Sequence, residues 1–242
     1  MLKKITSFVF LLLLTVGLVA CGNNQEGESE GSTDKATSDS ANQTQVDISD
    51  EEKMESDAVV AVVNGEELLG NDYNTVYTQT KTLLQEQGQD VKDQEMVKEQ
   101  ALKALVSQKV LSQDAAAKGI EVTASDVDAY IEEAKAQFDS EEAFQKQLDN
   151  LNYTLESFRE QVSMQLEQDA YVQQEFSNVE VTEEDVQAYY DTLTEQGNSD
   201  KLPALEDVKE TIKTQLKNSQ IQTKLNERIQ ALRDEAEIEK MI

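Results

Sequence analysis

Hydrophobic and polar positions divide the chain into three stretches. Lys3 and Lys4 precede a mostly apolar run from Ile5 to Ala20, and Gly22 to Asp57 then carries almost no large apolar side chain. From Ala58 onward apolar residues recur with regular spacing. Val59-Val60-Ala61-Val62-Val63 is the β-branched run of note, followed by Asn64-Gly65 and then Glu66-Glu67-Leu68. Asn-Gly tolerates the positive φ angles of a type I′ turn, so this stretch predicts a β-hairpin. A two-stranded hairpin alone is marginal. Glu237-Ile238-Glu239 alternates polar and apolar residues and is the candidate third strand.

Between these strands the spacing is helical. A first helix is expected from Asn71 or Asp72 to about Gln87, with Tyr73, Val76, Tyr77, Leu83 and Leu84 inward and Gly88 as its stop. A second runs from about Asp90 to Ala117. Its apolar residues from Leu102 spread around the wheel, which places it mid-domain, and Gly119 supplies a left-handed stop. Thr123-Ala124-Ser125-Asp126 and Thr182-Glu183-Glu184-Asp185 match the capping-box pattern that opens helices. A short helix is expected over 141–150. Thr154 opens a longer one to Phe176, with Leu155, Phe158, Val162 and Leu166 on its apolar face. The last helix begins near Ala204, after Pro203. Leu205, Val208, Ile212, Leu216, Leu225, Ile229 and Leu232 form its stripe. It is roughly 45 Å long, enough to cross back over the N-terminal helices.

Composition removes whole classes of chemistry. The 242 residues contain no His and one Cys, so His-activated nucleophiles, His- or Cys-cluster metal sites and intramolecular disulfides drop out. The acidic total of 49 against 21 basic residues gives a formal charge of −28, the wrong sign for a nucleic-acid binder. Asp50-Glu51-Glu52, Glu141-Glu142 and Glu183-Glu184-Asp185 lack the alternating ligands and Gly of a calcium loop, and acids at helix starts are explained by the helix dipole. Neither a metal nor a cofactor is expected.

Residues 1–20 read as a secretory signal peptide, too short for a comfortable membrane span. Leu18-Val19-Ala20-Cys21 followed by Gly22 resembles the lipobox of bacterial lipoproteins. That resemblance implies cleavage between Ala20 and Cys21 and a lipid on the Cys21 thiol, anchoring the protein to the membrane. Residues 21–57 hold 11 acids and 2 bases amid Ser, Thr, Asn, Gln and Gly. Such a composition cannot offset chain entropy by burial, so this stretch reads as a disordered tether, with a typical reach of roughly 30–36 Å.

Residues 58–242 form one domain by length, mainly α, with the small N-terminal hairpin and the long C-terminal helix. Val62-Val63-Asn64-Gly65, the aromatic Tyr73, the run Ala101 to Ala115, and Lys118-Gly119-Ile120-Glu121-Val122-Thr123 follow one another in an order that resembles the N-terminal domain of the SurA/PrsA extracytoplasmic chaperones. That domain is related in fold to the C-terminal chaperone domain of trigger factor. Thr182 to Tyr190 and the final helix fit the same pattern. In PrsA-type foldases a parvulin prolyl-isomerase domain stands between the counterparts of these last two elements. Here Asp191 to Pro203 spans that place, and the chain has no His to match the parvulin pair.

The resemblance therefore implies the chaperone part without the isomerase part. It points to an ATP-independent holdase for unfolded or secreted polypeptides, lipid-anchored on the outer face of a Gram-positive cell membrane. Phe138, Phe144, Leu148, Leu151 and Tyr153 are the candidate client contacts, because short helices and turns bury apolar groups poorly. Met164 is a candidate adaptable contact off the α-helical stripe. Two alternatives stay open. One is a family member with residual prolyl-isomerase activity. The other is an assembly lipoprotein that seats one folded partner, or a homodimer formed through the last helix.

Overall fold

The structure, a computed structural model, describes residues 46–151, 153–195 and 202–242. All of them fall within the unit Thr44–Ile242. The expected hairpin is strand β1 (Val59–Val63) and strand β2 (Glu66–Leu69). Asn64 at φ 51° and Gly65 at φ 82° make the turn and set Val63 opposite Glu66. The register slips between Val59 and Ala61, so the consecutive residues Val60 and Ala61 are both buried. Strand β3 (Ile238–Lys240) pairs antiparallel with the other edge of β1, giving the order β2-β1-β3. Asn64 locks this closure: its N–H donates to the Glu237 carbonyl at 2.8 Å and its Oδ1 accepts from the Glu237 N–H at 2.9 Å.

Seven helices lie between β2 and β3 among the described residues: α1 (Gly70–Glu86), α2 (Gln94–Ala117), α3 (Ala124–Lys135), α4 (Glu141–Asn150), α5 (Leu155–Phe176), α6 (Glu183–Leu193) and α7 (Leu205–Glu235). Helix α2 is central, packed by α1, α5, α7 and β1. Helices α3, α5 and α6 open with capping boxes at Thr123, Thr154 and Thr182, each Thr side chain accepting from the third residue of its helix. With 31 residues, α7 spans about 46 Å. It runs past three separate cores. Ile212 packs with Val181 and Val186; Leu225 with Leu111, Ala115, Ile120 and Tyr171; Leu232 on the main core of the sheet, α1 and α2.

The structure corrects four expectations. The boundary between tether and domain does not lie at residue 57. Asp50–Glu52 forms a 3-10 turn, and Ile48 and Met54 pack on the main core. The Glu52 carboxylate is buried, meeting the Lys81 ammonium at 2.5 Å and accepting from the Tyr77 hydroxyl at 2.7 Å. Residues 46–57 are thus a strap over α1. The strap also caps α1: Gly70 N–H donates to the Ala58 carbonyl at 2.8 Å, and Asn71 N–H to the Ser56 carbonyl at 3.0 Å. It passes so close that a Cβ on Gly70 would stand 2.0 Å from the Glu55 carbonyl oxygen.

Leu83 is 54% exposed, because the inward face of α1 runs through Tyr73, Val76, Tyr77, Lys81 and Leu84, and Leu83 lies one residue off it. Helix α2 starts at Gln94 rather than Asp90, with Asp93 as its N-cap accepting from Met96 N–H at 3.1 Å. Leu155 is exposed, as the first residue of α5, ahead of the turn where that helix reaches its neighbours.

Candidate functional site

Helices α3, α4 and the first half of α5 build a small lobe with its own core. Val127, Ile131, Phe144, Leu148 and Val162 are buried in it. Ser140 caps α4 by accepting from Ala143 N–H at 3.2 Å, and Tyr153 N–H returns to the Leu148 carbonyl at 2.9 Å. This fixes the α4–α5 corner. Half-buried rings close over the core edge to face: Phe138 on Phe144 at 5.4 Å, Phe144 on Phe158 at 5.8 Å, and Tyr153 on Phe158 at 6.2 Å. Leu151 and Leu155, on either side of Tyr153, are 42% and 41% exposed. Phe138, Tyr153 and Phe158 stay partly exposed on the same lobe.

Across from it stands α1. Gln79 donates to the Tyr153 hydroxyl at 3.3 Å and to the Gln161 side-chain oxygen at 2.9 Å. Among the described residues, Gln79 makes every hydrogen bond between α1 and α5. Asp72 and Leu83 share its helical face, seven residues before and four after it. Burial, with the negative charges of Asp72 and Glu156, pushes the Glu160 carboxyl up. Gln79 therefore ties α1 to the α4–α5 corner, and the exposed Leu151 and Leu155 and the carboxylates of Asp72, Glu156 and Glu160 stand on the elements that meet there.

The predicted contacts divide in this setting. Leu151 is exposed, Phe138 and Tyr153 are half-buried on the lobe, and Met164 is half-buried on α5. Phe144 and Leu148 are 4% and 2% exposed and hold the lobe together from within, so the expectation of exposure fails for both. The reason is the rim itself: Phe138, Tyr153 and Phe158 roof the two residues over. Ala20 and Cys21 lie outside the described residues. Phe158, Leu155 and Gln79 belong to the surface and were not singled out by the sequence. A partly covered Phe on a core stripe looks the same in sequence as a buried one.

A polar tie behind the lobe also went unread. Arg228 of α7 grips Asp114 of α2 with Nη2–Oδ1 at 2.7 Å and Nε–Oδ2 at 3.3 Å, and the Tyr171 hydroxyl of α5 donates to the same carboxylate. Burial works against the Asp114 charge, but the bonds from Arg228 and Tyr171 hold its carboxyl below the usual range. Burial and Asp114 push the Tyr171 hydroxyl up to about 12. A single acid between Leu111 and Ala115 was the available signal. Among the described residues no group of His, Cys, Asp or Glu is arranged to hold a metal, and no helix is long and apolar enough to cross a membrane. The arrangement can bind chains through apolar and polar contacts.

Comparison with known proteins agrees with this architecture. The family described as the SurA-like N-terminal domain matches residues 3–172. The chain belongs to that family. It is 29% identical over 202 residues to the Foldase protein PrsA of Caldanaerobacter subterraneus subsp. tengcongensis, covering 79% of this chain and 52% of that one. It is 28% identical over 99 residues to the Foldase protein PrsA of Clostridium acetobutylicum, covering 39% of this chain and 30% of that one. The chain thus spans about half the length of the first relative and less of the second. A chain from the solved structures of the virulence factor PEB4 and the periplasmic protein Cj1289, two structurally related SurA-like chaperones of Campylobacter jejuni, superposes with a TM-score of 0.52. That match covers 76% of this chain and 99% of the other at 16% identity, a likeness of fold.

Proposed function

We propose that this protein is an ATP-independent holdase that binds non-native secreted or envelope polypeptides outside the cytoplasm. The observation that carries the reading is the group of exposed or partly exposed apolar side chains on one lobe, Phe138, Tyr153, Phe158, Leu151 and Leu155. Monomers seldom expose contiguous apolar surface without a use for it. Membership of the SurA-like family, and relatives named as foldases, support the same reading. Residues 1–20 serve as the signal peptide, Cys21 carries the lipid, and residues 22–45 tether the folded unit to the outer face of the membrane.

Binding is weak, fast and without bond-making chemistry. In a test of aggregation, the full chain in several-fold molar excess suppresses aggregation of a reduced, unfolded client. No suppression at that excess contradicts the reading. Relatives named PrsA foldase favour one alternative, a residual prolyl isomerase. Acceleration of a Pro-limited refolding reaction beyond the effect of holding would establish it, and our reading predicts none.

A further inference from the structure

The charge around the lobe is lopsided. Residues 120–176 contain 14 acids and 3 bases. Of those bases, Lys135 is taken up by Glu132 at 3.0 Å and Glu141 at 3.7 Å, and Arg159 by Asp128 at 2.6 Å, while Lys146 stands exposed on α4. Among the described residues no Lys or Arg forms an ion pair with Asp72 of α1 or with Glu156 and Glu160 of α5. Partial burial and mutual repulsion already push the Glu160 carboxyl up. The lobe thus joins exposed aromatic and aliphatic side chains to carboxylates that have no ion-pair partner among the described residues.

Charge also rejects the nearest rival occupants. Residues 22–45 of this chain hold 5 acids and 1 base, and a second copy carries the same −28. Both would bring like charge to the lobe. A polypeptide whose Lys or Arg residues flank aromatic or aliphatic ones would satisfy both halves of the surface at once.

We propose that the lobe surface where α5 meets α1 selects cationic, apolar-rich segments of non-native polypeptides and discriminates against acidic ones. This rests on the holdase reading and specifies its clients. Long-range attraction gathers such segments, and the rings of Tyr153 and Phe158 hold their apolar side chains.

The test uses the full-length chain in detergent and three labelled unstructured peptides of equal length and equal Phe and Leu content. Their polar positions carry Lys, Gln or Glu, and affinity is read by fluorescence anisotropy. The Lys peptide should bind about tenfold more tightly than the Gln peptide, the scale of three partly exposed ion pairs, and the Glu peptide more weakly still. At about 1 M salt, where the screening length is about 3 Å, the preference should vanish in the unaltered protein. The triple variant Asp72→Asn, Glu156→Gln, Glu160→Gln should lose most of the preference yet still bind the Gln peptide. The triple variant Glu210→Gln, Glu227→Gln, Glu235→Gln, with the same charge change at exposed positions of α7, should keep it. Equal binding of all three peptides, or equal loss in both variants, overturns the proposal and leaves the holdase reading standing. Binding of none of the peptides, together with failure to suppress aggregation, overturns both.

Discussion

The Glu52–Lys81 pair sets how firmly the strap is fixed, and Glu52→Gln isolates it. Burial raises the Glu52 carboxyl, but the Lys81 ammonium, the Tyr77 hydroxyl and Ser49 outweigh it and bring the carboxyl from 4.5 down to about 2. At about 1.4 kcal/mol per unit, that depression corresponds to roughly 3 kcal/mol of stability near neutral pH. Removing one partner from a buried pair costs about 3–5 kcal/mol, so two routes agree on the order of magnitude. After Glu52→Gln the Lys81 ammonium keeps the Asp47 carbonyl, at 2.8 Å, as an acceptor but loses its counter-charge. The folded carboxyl titrates below its unfolded value. Its contribution is therefore complete above about pH 4.5 and is lost as pH falls towards about 2. Urea unfolding of both proteins across this range should show a difference of about 3 kcal/mol at neutral pH that shrinks towards zero at the acid end. A constant difference at every pH, or less than about 1 kcal/mol at neutral pH, refutes the reasoning.

Gly70→Ala forces the strap away from α1, since its Cβ would meet the Glu55 carbonyl oxygen at 2.0 Å; limited proteolysis should then cut within residues 46–57 faster than in the unaltered protein. Phe144→Ala opens a cavity in the lobe core and should cost about 3–5 kcal/mol by thermal unfolding, whereas Leu151→Ser, at an exposed position, should stay within about 0.5 kcal/mol. Arg228→Met leaves the Asp114 carboxylate, 11% exposed, without its counter-charge and should cost about 3 kcal/mol in urea unfolding; adding Asp114→Leu should recover most of it.

Much of the fold was legible because local chemistry announces itself. Thr123, Thr154 and Thr182 open helices where the Thr-based caps stand, and Asn64-Gly65 makes the expected turn with positive φ at both residues. Each signal is satisfied within a few residues of itself. The strap was illegible for the opposite reason. Residues 46–57 have 6 acids and 1 base and read as a solvated tail. What orders them is a pairing with Lys81, 29 residues beyond Glu52, that no local pattern encodes.

The candidate surface was legible in part. Phe138, Leu151 and Tyr153 reach the lobe exterior, while Phe144 and Leu148 lie beneath them. Short helices do cover apolar groups poorly, as Leu151 illustrates at 42% exposure. Which member of a cluster becomes floor and which becomes rim depends on the crossing of α4 with α5 and on Gln79 arriving from α1. Periodicity along one helix carries neither fact.

Site-specific photo-crosslinking on the full-length protein tests the central claim most directly. A photoreactive residue replaces Leu151 or Leu155 on the lobe, or Glu227 on α7, and a denatured client is added before irradiation. The account predicts heterogeneous client adducts at Leu151 and Leu155 and few at Glu227. Equal labelling at the three positions, or none on the lobe while the protein still suppresses aggregation, would contradict it.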